Sequence, residues 1–365
     1  MIKVAIIGSG GISLPHIEAY LQFPEHCRLA ALCDVYPDKA RQRAQQYHLH
    51  VDIYDNYKKL VERPDIDLVS ICTPPYTHAQ IAIDFLNAGK HVLVEKPMAS
   101  SLAECDAMNE AAFRNKKVLS VISQNRFRQS VMKVKGVLEA NLIGPVVHAQ
   151  VDSLWWRGSS YYDVWWRGTW EKEGGGCTLN HAVHHIDLFL WLKGMPSEVV
   201  AVMSNVAHHN AEVEDISIAI CLYPDGSLAQ ITSSVVHHGE EQQLVFQGQY
   251  ARVSIPWQLC AYKARENGFP ARDFELERKI RQTYNELPDL QYEGHIGQIY
   301  DVLLAVDGQK DVLVNGCQGR RTLEMITAIY QAASTGRPVK LPLSADSPFY
   351  TREGILAQAK YFNTK

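Results

Sequence analysis

The chain begins with an apolar run, residues 2–7, that leads directly into the glycine turn Gly8-Ser9-Gly10-Gly11. A strand that feeds a glycine turn and then a helix constrains the fold strongly, because the turn and the helix N-terminus present backbone N–H groups to a phosphate. The motif matches G-x-G-x-x-G except that Ser13, another small residue, replaces the third glycine. The pattern therefore predicts a βα unit that cradles a pyrophosphate.

The first third of the chain continues this alternation of strand and helix. Short apolar runs alternate with segments of helical period, and such alternation predicts a doubly wound parallel sheet of the α/β class. Gly89 follows one of these segments and is typical of a helix stop. The predicted strands are 3–7, 28–33, 67–72, 91–94 and 118–122, and the predicted helices are 14–23, 39–47, 80–88 and 102–114.

The pattern changes beyond about residue 123. Strands now follow one another, with 215–223 and 227–236 joined by the turn residues of 224–226, which predicts a largely antiparallel sheet with helices on one face. The region 256–290 shows no clear periodicity. The other predicted elements are a strand at 146–152 and helices at 129–140, 180–193, 294–306 and 319–335.

Composition excludes several classes of partner. Charged residues make up 21% and the formal net charge is −4, with no block of like charges, so nucleic acid and anionic membranes are not expected partners. No apolar stretch approaches the roughly 18 residues that span a membrane. The first strand starts too early to leave room for a cleaved signal peptide. The eight cysteines form no C-x-x-C pair, so we expect buried thiols and a cytoplasmic location.

Asp34 strengthens the prediction of a dinucleotide site. It ends the second predicted strand, where a carboxylate receives the hydroxyls of a ribose, although an N-cap role before Pro37 is compatible with the same position. A carboxylate there repels a 2′-phosphate, so NAD is expected to be favoured over NADP by roughly 1–3 kcal/mol.

Two further motifs follow the ends of predicted strands. Glu95-Lys96-Pro97 comes after the run 91–94, and Thr73-Pro74-Pro75-Tyr76-Thr77-His78 comes after the run 67–72. Ligands of open α/β sheets bind at this carboxyl edge. A lysine that shares a proton beside a dinucleotide indicates hydride chemistry at a hydroxyl-bearing carbon. The second motif, taken alone, favours an ordinary strand-to-helix connector.

The motifs G-x-G-G-I, T-P-P-x-x-H and E-K-P, in this order, resemble the Gfo/Idh/MocA family of oxidoreductases. The resemblance continues through Gly174-Gly175-Gly176, 180–187 and 319–343. It implies a Rossmann domain over 1–123 and, over 124–365, an α+β domain whose large open sheet builds the sugar site and the oligomer interface. Mapped onto this chain, the expected cofactor-binding residues are Gly8, Ser9, Gly10, Gly11, Ile12, Asp34, Thr73, Pro74, His78, Glu95, Lys96, Asn125, Trp166 and Arg167.

The resemblance assigns the proton to Lys96 and His184. The family often has Asp-x-x-x-His here, but this chain has Asn180 in the first position, and an amide cannot exchange a proton. Asn180 is therefore expected to orient a hydroxyl on the helical face that it shares with His184. His181, His184 and His185 lack a carboxylate or cysteine partner in sequence, so no metal site is predicted.

An aromatic segment follows the strand at 146–152. Five of the chain's seven tryptophans fall within 155–170. About half of these aromatics are expected in the core, and the others are expected to form flat walls for a sugar ring or an aryl aglycone, with Trp155 and Tyr161 in contact with the substrate. His295 begins a late helix and is expected either at the substrate or in the core.

These observations predict an NAD-dependent oxidoreductase acting on a secondary hydroxyl of a sugar or glycoside, plausibly at C3, and a homo-oligomer. Two alternatives stay open. One is an enzyme that keeps NAD bound and oxidises transiently, for glycoside cleavage or substrate-to-substrate redox. The other is a non-catalytic dinucleotide-sensing regulator, against which the retention of both Lys96 and His184 argues.

Overall fold

The structure is a computed structural model that describes residues 1–365. The strands are β1 (Ile2–Ile7), β2 (Cys27–Cys33), β3 (Asp52–Tyr54), β4 (Leu68–Ile71), β5 (His91–Val94), β6 (Leu119–Val121), β7 (Val146–Leu154), β8 (Glu198–Ser204), β9 (Ile216–Leu222), β10 (Leu228–Ser234), β11 (Gln242–Gly248), β12 (Ala251–Ile255), β13 (Gln258–Ala264), β14 (Pro270–Arg272) and β15 (Val339–Lys340).

The helices are α1 (Ser13–Leu21), α2 (Pro37–Gln46), α3 (Lys58–Val61), α4 (His78–Asn87), α5 (Leu102–Asn115), α6 (Gln129–Glu139), α7 (Cys177–Asn180), α8 (Val183–Lys193), α9 (Phe274–Glu286), α10 (Gly294–Val306), α11 (Gly316–Thr335) and α12 (Arg352–Gln358). None of them is long and apolar enough to cross a membrane.

The chain divides into two compact units. The first comprises 1–127, 171–174 and 291–323, and the second comprises 128–170, 175–290 and 324–365. The single boundary predicted between residues 123 and 124 lies close to the first crossing, but the chain then returns to the first unit twice. The roles assigned to the two predicted domains stay predictions.

The first unit is built on a six-stranded parallel sheet in the order β3-β2-β1-β4-β5-β6. The central strands are buried on both faces, as the near-continuous apolar residues of β4 and β5 require. The direction in which successive strands are added reverses between β1 and β4. The glycine turn that follows β1 therefore lies at the switch point of the sheet. The doubly wound sheet predicted from the alternation is thus confirmed.

Helix α10 completes the core of the first unit. Its buried residues Ile299, Val302 and Leu303 join the same apolar cluster as Ile17 of α1. The helix was predicted at 294–306, and these are its bounds in the structure. The sequence pattern does not indicate which sheet it covers.

The second unit is built on a nine-stranded sheet in the order β14-β13-β12-β11-β7-β10-β9-β8-β15. All neighbouring strands are antiparallel except β7 and β10, which pair in parallel. The predicted, mostly antiparallel sheet is confirmed. The predicted hairpin is also present, because β9 and β10 pair across a turn in which the Gly226 N–H donates to the Tyr223 carbonyl.

One predicted helix of the second unit starts later than expected. The continuous helix expected over 180–193 is interrupted: α7 ends at Asn180 and α8 begins at Val183. The N–H groups of His181 and Ala182 both donate to the Cys177 carbonyl, which closes the first turn before the next helix starts. The region 256–290, for which no elements were predicted, contains β13, β14 and α9.

Candidate functional site

The glycine turn after β1 has the geometry that its sequence indicates. Gly8 has φ +93°, and a Cβ at this position would lie 2.4 Å from the Cys72 carbonyl oxygen, so any side chain is excluded. Gly10 and Gly11 have no atom within 4 Å of the Cβ position, which leaves open space beside the turn. The Ser13 hydroxyl donates to the Gly10 carbonyl at 2.7 Å and closes the turn onto α1.

Asp34 lies directly beside this turn. Its Oδ2 accepts from the Ser9 N–H at 2.8 Å and its Oδ1 accepts from the Tyr36 N–H at 2.9 Å. A carboxylate has about four acceptor positions, so both oxygens can still accept from ribose hydroxyls. The Ser9 hydroxyl oxygen is buried without a hydrogen-bond partner. The open glycine turn, the oriented carboxylate and the unpaired hydroxyl together fit a dinucleotide.

His78 holds the loops that follow β4 and β5. Its Nδ1 lies 2.9 Å from the Pro97 carbonyl oxygen and its Nε2 lies 2.8 Å from the Thr73 carbonyl oxygen. The side chain is fully buried, and burial lowers its pKa against the opposing effect of the two carbonyls. His78 therefore fixes the backbone of two cofactor-edge loops, and Pro74 precedes the short 3₁₀ turn Pro75–Thr77 that leads into α4.

Glu95 points into the interior of the first unit, while Lys96 is half-buried. One Glu95 oxygen accepts from the Lys96 N–H at 3.1 Å, and the other lies 3.0 Å from His16 Nε2. Burial raises the pKa of Glu95, but the neighbouring histidines His16 and His295 outweigh it and hold the pKa below its usual range. The carboxylate thus stays charged and orients the backbone that carries Lys96.

Asn125 lies in a 3₁₀ turn directly after β6. The turn is fixed by Gln298, a buried residue of α10 that sequence reasoning did not select. Its Oε1 accepts from the Ser123 N–H at 2.9 Å and its Nε2 donates to the Val121 carbonyl at 2.8 Å. A polar residue among the apolar positions of a helix is the signal that could have identified this amide.

In the second unit, a buried carboxylate anchors the short helix that carries Asn180. Glu214 accepts from the N–H groups of Gly176 at 3.1 Å and Thr178 at 2.9 Å, and from the Tyr330 hydroxyl at 3.0 Å. A Cβ on Gly176 would lie 1.9 Å from the Glu214 carbonyl oxygen, so glycine is required there. Burial raises the pKa of Glu214.

His184 lies in the first turn of α8 and is half-buried, as is Asn180. The spacing of one helical turn predicted that Asn180 and His184 share a face. Because Asn180 lies in α7 and His184 in α8, which are separate helices, this shared face stays a prediction. The next residue, His185, is buried, and its Nδ1 contacts the Ser153 hydroxyl at 2.9 Å. Burial lowers the pKa of His185 to about 4, so its imidazole is neutral at pH 7.

The aromatic segment divides into core and surface members. Trp170 and Tyr162 are each 2% exposed and belong to the core. The Trp170 ring packs edge-on against Tyr330, with 4.9 Å between ring centroids. By contrast, Trp165 is 63% exposed and Trp156 is 47% exposed.

The remaining aromatics are half-buried and form one cluster. The Trp155 ring centroid lies 6.0 Å from that of His181, and the Tyr161 centroid lies 5.6 Å from the same ring. The Arg167 guanidinium lies 4.0 Å from the Tyr161 centroid and 4.8 Å from that of Trp166. We call this set, Trp155, Tyr161, Trp166, Arg167 and His181, the aromatic cluster.

Within each unit the structure brings most of the predicted residues together. In the first unit these are the glycine turn with Ile12, Asp34, the loops carrying Thr73, Pro74, His78, Glu95 and Lys96, and Asn125, whereas His295 lies beside Glu95. In the second unit the aromatic cluster is joined through His181 to the turn that follows Asn180. Residues that sequence reasoning missed include His16, Ser153, Glu214, Gln298 and Tyr330.

Two family models match the chain. One, described as the oxidoreductase family with an NAD-binding Rossmann fold, matches residues 2–123. The other, described as the GFO/IDH/MocA C-terminal domain, matches residues 131–254.

Relatives with known names match nearly the whole chain. D-glucoside 3-dehydrogenase of Escherichia coli is 23% identical over 93% of this chain and 97% of its own length. The WlbA dehydrogenase of Bordetella pertussis, solved with NADH and UDP-GlcNAcA, is 26% identical with a TM-score of 0.81, over 94% of this chain and 98% of that one. The aldose-aldose oxidoreductase of Caulobacter crescentus is 27% identical with a TM-score of 0.76, over 93% and 99%.

Proposed function

Because this chain belongs to the Gfo/Idh/MocA family of NAD-binding oxidoreductases, we propose that it oxidises a secondary hydroxyl of a sugar or glycoside, at C3. The enzyme is an NAD-dependent dehydrogenase of the sugar and polyol type. The observation that carries the proposal is Lys96 at the carboxyl end of β5, in the unit that presents the glycine turn and Asp34. The choice of C3 is supported by the likeness to a D-glucoside 3-dehydrogenase.

NAD, when bound, supplies the hydride acceptor at C4 of its nicotinamide. The glycine turn and Asp34 bind it, and Asn125, Trp166 and Arg167 are proposed to contact its nicotinamide end. Glu95 and His78 set the backbone on either side of Lys96, so that its side-chain amine needs little reorganisation to meet the substrate.

Proton handling is assigned to Lys96 and His184. Lys96 Nζ hydrogen-bonds the reacting hydroxyl and receives its proton as the hydride leaves the same carbon, and His184 accepts or relays that proton. Asn180 orients the hydroxyl through its amide. The aromatic cluster offers apolar rings edged by polar groups, which suits the face of a pyranose.

The proposal is tested first with Lys96→Ala. Turnover on the best sugar or glycoside in a panel is expected to fall roughly 10²–10⁴-fold, with NAD affinity much less affected. His184→Ala is expected to cause a similar loss of turnover. The loss in the double variant, expressed as activation free energy, is expected to be much smaller than the sum of the two single losses, because the two residues act as one unit. A Lys96→Ala enzyme that keeps most of its rate contradicts the assignment.

A second candidate, substrate-to-substrate redox with NAD retained, is favoured by the likeness to an aldose-aldose oxidoreductase. Absorbance of reduced nicotinamide rises during turnover of a dehydrogenase but not during a closed redox cycle. Mass spectrometry of the products then separates the cycle and a transient-redox glycoside cleavage from a sensor, which forms no product.

Two broader assignments belong to the same proposal. The apolar residues on the outer face of the nine-stranded sheet support a homo-oligomer, because Val202 and Ile218 are 65% and 45% exposed. Six of the eight cysteines are buried free thiols, which supports a cytoplasmic location. Cys260 and Cys317, which were also expected to be buried, are half-buried and exposed.

A further inference from the structure

Three ligand-type side chains meet inside the first unit. His16 comes from α1, Glu95 follows β5, and His295 lies in the first turn of α10. Their ligand atoms all lie within 4.8 Å of one another. His16 and Glu95 are buried, and the side chain of His295 is 18% exposed.

The distances approach those around a shared metal ion. Zinc binds imidazole nitrogen and carboxylate oxygen at roughly 2.0–2.2 Å, so two ligands at tetrahedral angles lie about 3.3–3.5 Å apart. Here Glu95 Oε1 lies 3.0 Å from His16 Nε2 and 3.8 Å from His295 Nε2. The third pair, His16 and His295, lies within 4.8 Å, so the two imidazoles close by about 1 Å when the three side chains form a two-histidine, one-carboxylate ligand set.

The outer shell needed by a metal-binding histidine is also present. His16 Nδ1 lies 3.3 Å from the Ser70 hydroxyl, which lies 2.7 Å from the Tyr20 hydroxyl. When Nε2 of His16 binds an ion, its ring proton resides on Nδ1, and Ser70 accepts it while donating to Tyr20. Such partners fix the tautomer and ring orientation of a ligating histidine.

One atom of the cluster lacks a partner. His295 Nε2 is buried and has no hydrogen-bond partner, since 3.8 Å to Glu95 is beyond hydrogen-bond distance. Buried polar atoms are nearly always paired, so this nitrogen points to a ligand. An ion, and a water as its fourth ligand, would reach the cluster from the side of His295, whose side chain is 18% exposed.

We propose that His16, Glu95 and His295 bind a divalent transition-metal ion of the zinc type, with water as the fourth ligand. The bound ion replaces the hydrogen bond between His16 and Glu95, and its positive charge balances the negative charge of the Glu95 carboxylate. Two imidazoles exclude Mg²⁺ and Ca²⁺, which prefer oxygen. The proposal does not rest on the proposed function, because metal binding is measured without substrate.

The experiment uses the full chain, stripped with a chelator and titrated with Zn²⁺ by calorimetry and with Co²⁺ by visible absorption. We expect one ion per chain, tetrahedral Co²⁺ bands and a rise in melting temperature on adding Zn²⁺. His295→Gln and His16→Gln are each expected to weaken binding at least 100-fold. Ser70→Ala is expected to weaken it roughly 10-fold through loss of the outer shell.

The matched control is His208→Gln. His208 also contacts a buried carboxylate, Asp215, at 3.0 Å, but no third ligand completes that pair, so Zn²⁺ affinity should not change. NAD affinity serves as the check on folding. If His16→Gln does not fold, His295→Gln decides, because its side chain is the most accessible of the three. Absence of stoichiometric binding, or binding that survives His295→Gln, overturns the proposal.

Discussion

Asp34 is oriented by the turn that it serves, because one of its oxygens accepts from the Ser9 N–H. Since the carboxylate is fixed in this position, its charge acts on a 2′-phosphate wherever that phosphate approaches the ribose site. We expect Asp34→Ala to lower the preference for NAD over NADP by roughly 10–100-fold. Calorimetric titration of both cofactors measures this ratio.

The control for Asp34 is Asp38→Ala. Asp38 is an acidic residue of α2 whose side chain is 92% exposed and paired with Arg41, so its removal should leave the cofactor ratio unchanged. Tighter binding of NADP than of NAD by the unaltered protein would show that the carboxylate does not set the choice.

His208 predicts a pH dependence of stability. The hydrogen bond with Asp215, assisted by the Arg157 carbonyl, raises the pKa of His208 above its ordinary value. Stability gained from this charged histidine is complete below the unfolded pKa of about 6.5 and is lost as the pH rises through the raised folded pKa. As the pH rises above about 6.5, the melting temperature of the unaltered protein should therefore fall more steeply than that of His208→Gln.

The matched control is His209→Gln, which changes an exposed histidine next in sequence and should reproduce the unaltered profile. Melting temperatures at intervals from about pH 6 to about pH 9 cover the transition. Parallel profiles for the unaltered protein and His208→Gln would mean that the pair contributes no pH-linked stability.

Sequence patterns identified contacts between residues that are close to each other in the chain. Asp34 and the glycine turn belong to one βα unit, so their juxtaposition follows from strand and helix geometry. His16 and Glu95 are 79 residues apart, and their contact depends on which strands neighbour each other. No local pattern encodes such a contact, and the same is true of Glu214 and Tyr330, 116 residues apart.

At the scale of the element, the aromatic segment combines core and exposed side chains in one stretch of chain. Trp170→Ala removes a core side chain that is 2% exposed and is expected to cost about 3–5 kcal/mol in the free energy of unfolding. Trp165→Ala removes one that is 63% exposed and should change it by less than about 0.5 kcal/mol. Denaturant unfolding compares the two, and equal losses would contradict this division.

The aromatic cluster should behave as a binding surface. Trp155→Ala is expected to raise the Michaelis constant for the sugar while NAD affinity is retained, whereas Trp166→Ala is expected to weaken both. If every tryptophan variant loses stability and none changes substrate preference, the segment is scaffold. The sugar-wall hypothesis would then lose its support in this part of the chain.

Elements with strong periodicity were predicted within a few residues, as β5 and α10 show. The element β3 was missed because it has only three residues, all at least partly exposed, at the sheet edge. Likewise α9 was not predicted, because charged and polar residues dominate it and only Glu277 and Ile280 are buried. Its few apolar residues do fall on one face, and this periodicity was overlooked in the sequence.

At the scale of the whole molecule, the sequence gives no signal for which unit a late segment joins. The segment 291–323 belongs to the first unit although the preceding residues belong to the second. The apolar stripe of α10 fits any complementary sheet face, and its choice depends on partners such as Ile17 and Phe23. Family resemblance, rather than periodicity, identified the architecture as a whole.

The last prediction concerns the outer face of the nine-stranded sheet. Val202 lies opposite Ile218 and Val200 opposite Ile220, and all four side chains are at least 38% exposed. Paired apolar side chains on a sheet face are costly in water unless a second surface covers them, and a second copy of the chain fits the proposed oligomer. Light scattering after size exclusion should therefore give a multiple of 41.1 kDa.

The variant that tests this is Val202→Asp combined with Ile218→Lys. Opposite charges at directly paired positions maintain the sheet, but burying them against another surface costs desolvation, so the mass should fall while circular dichroism stays unchanged. Phe113→Lys is the control, because it charges an apolar residue of α5 that is 87% exposed and outside this sheet. A monomeric unaltered protein would contradict the proposed oligomer. A double variant that keeps the full mass would place the contact elsewhere, since only a covered face responds to the charges.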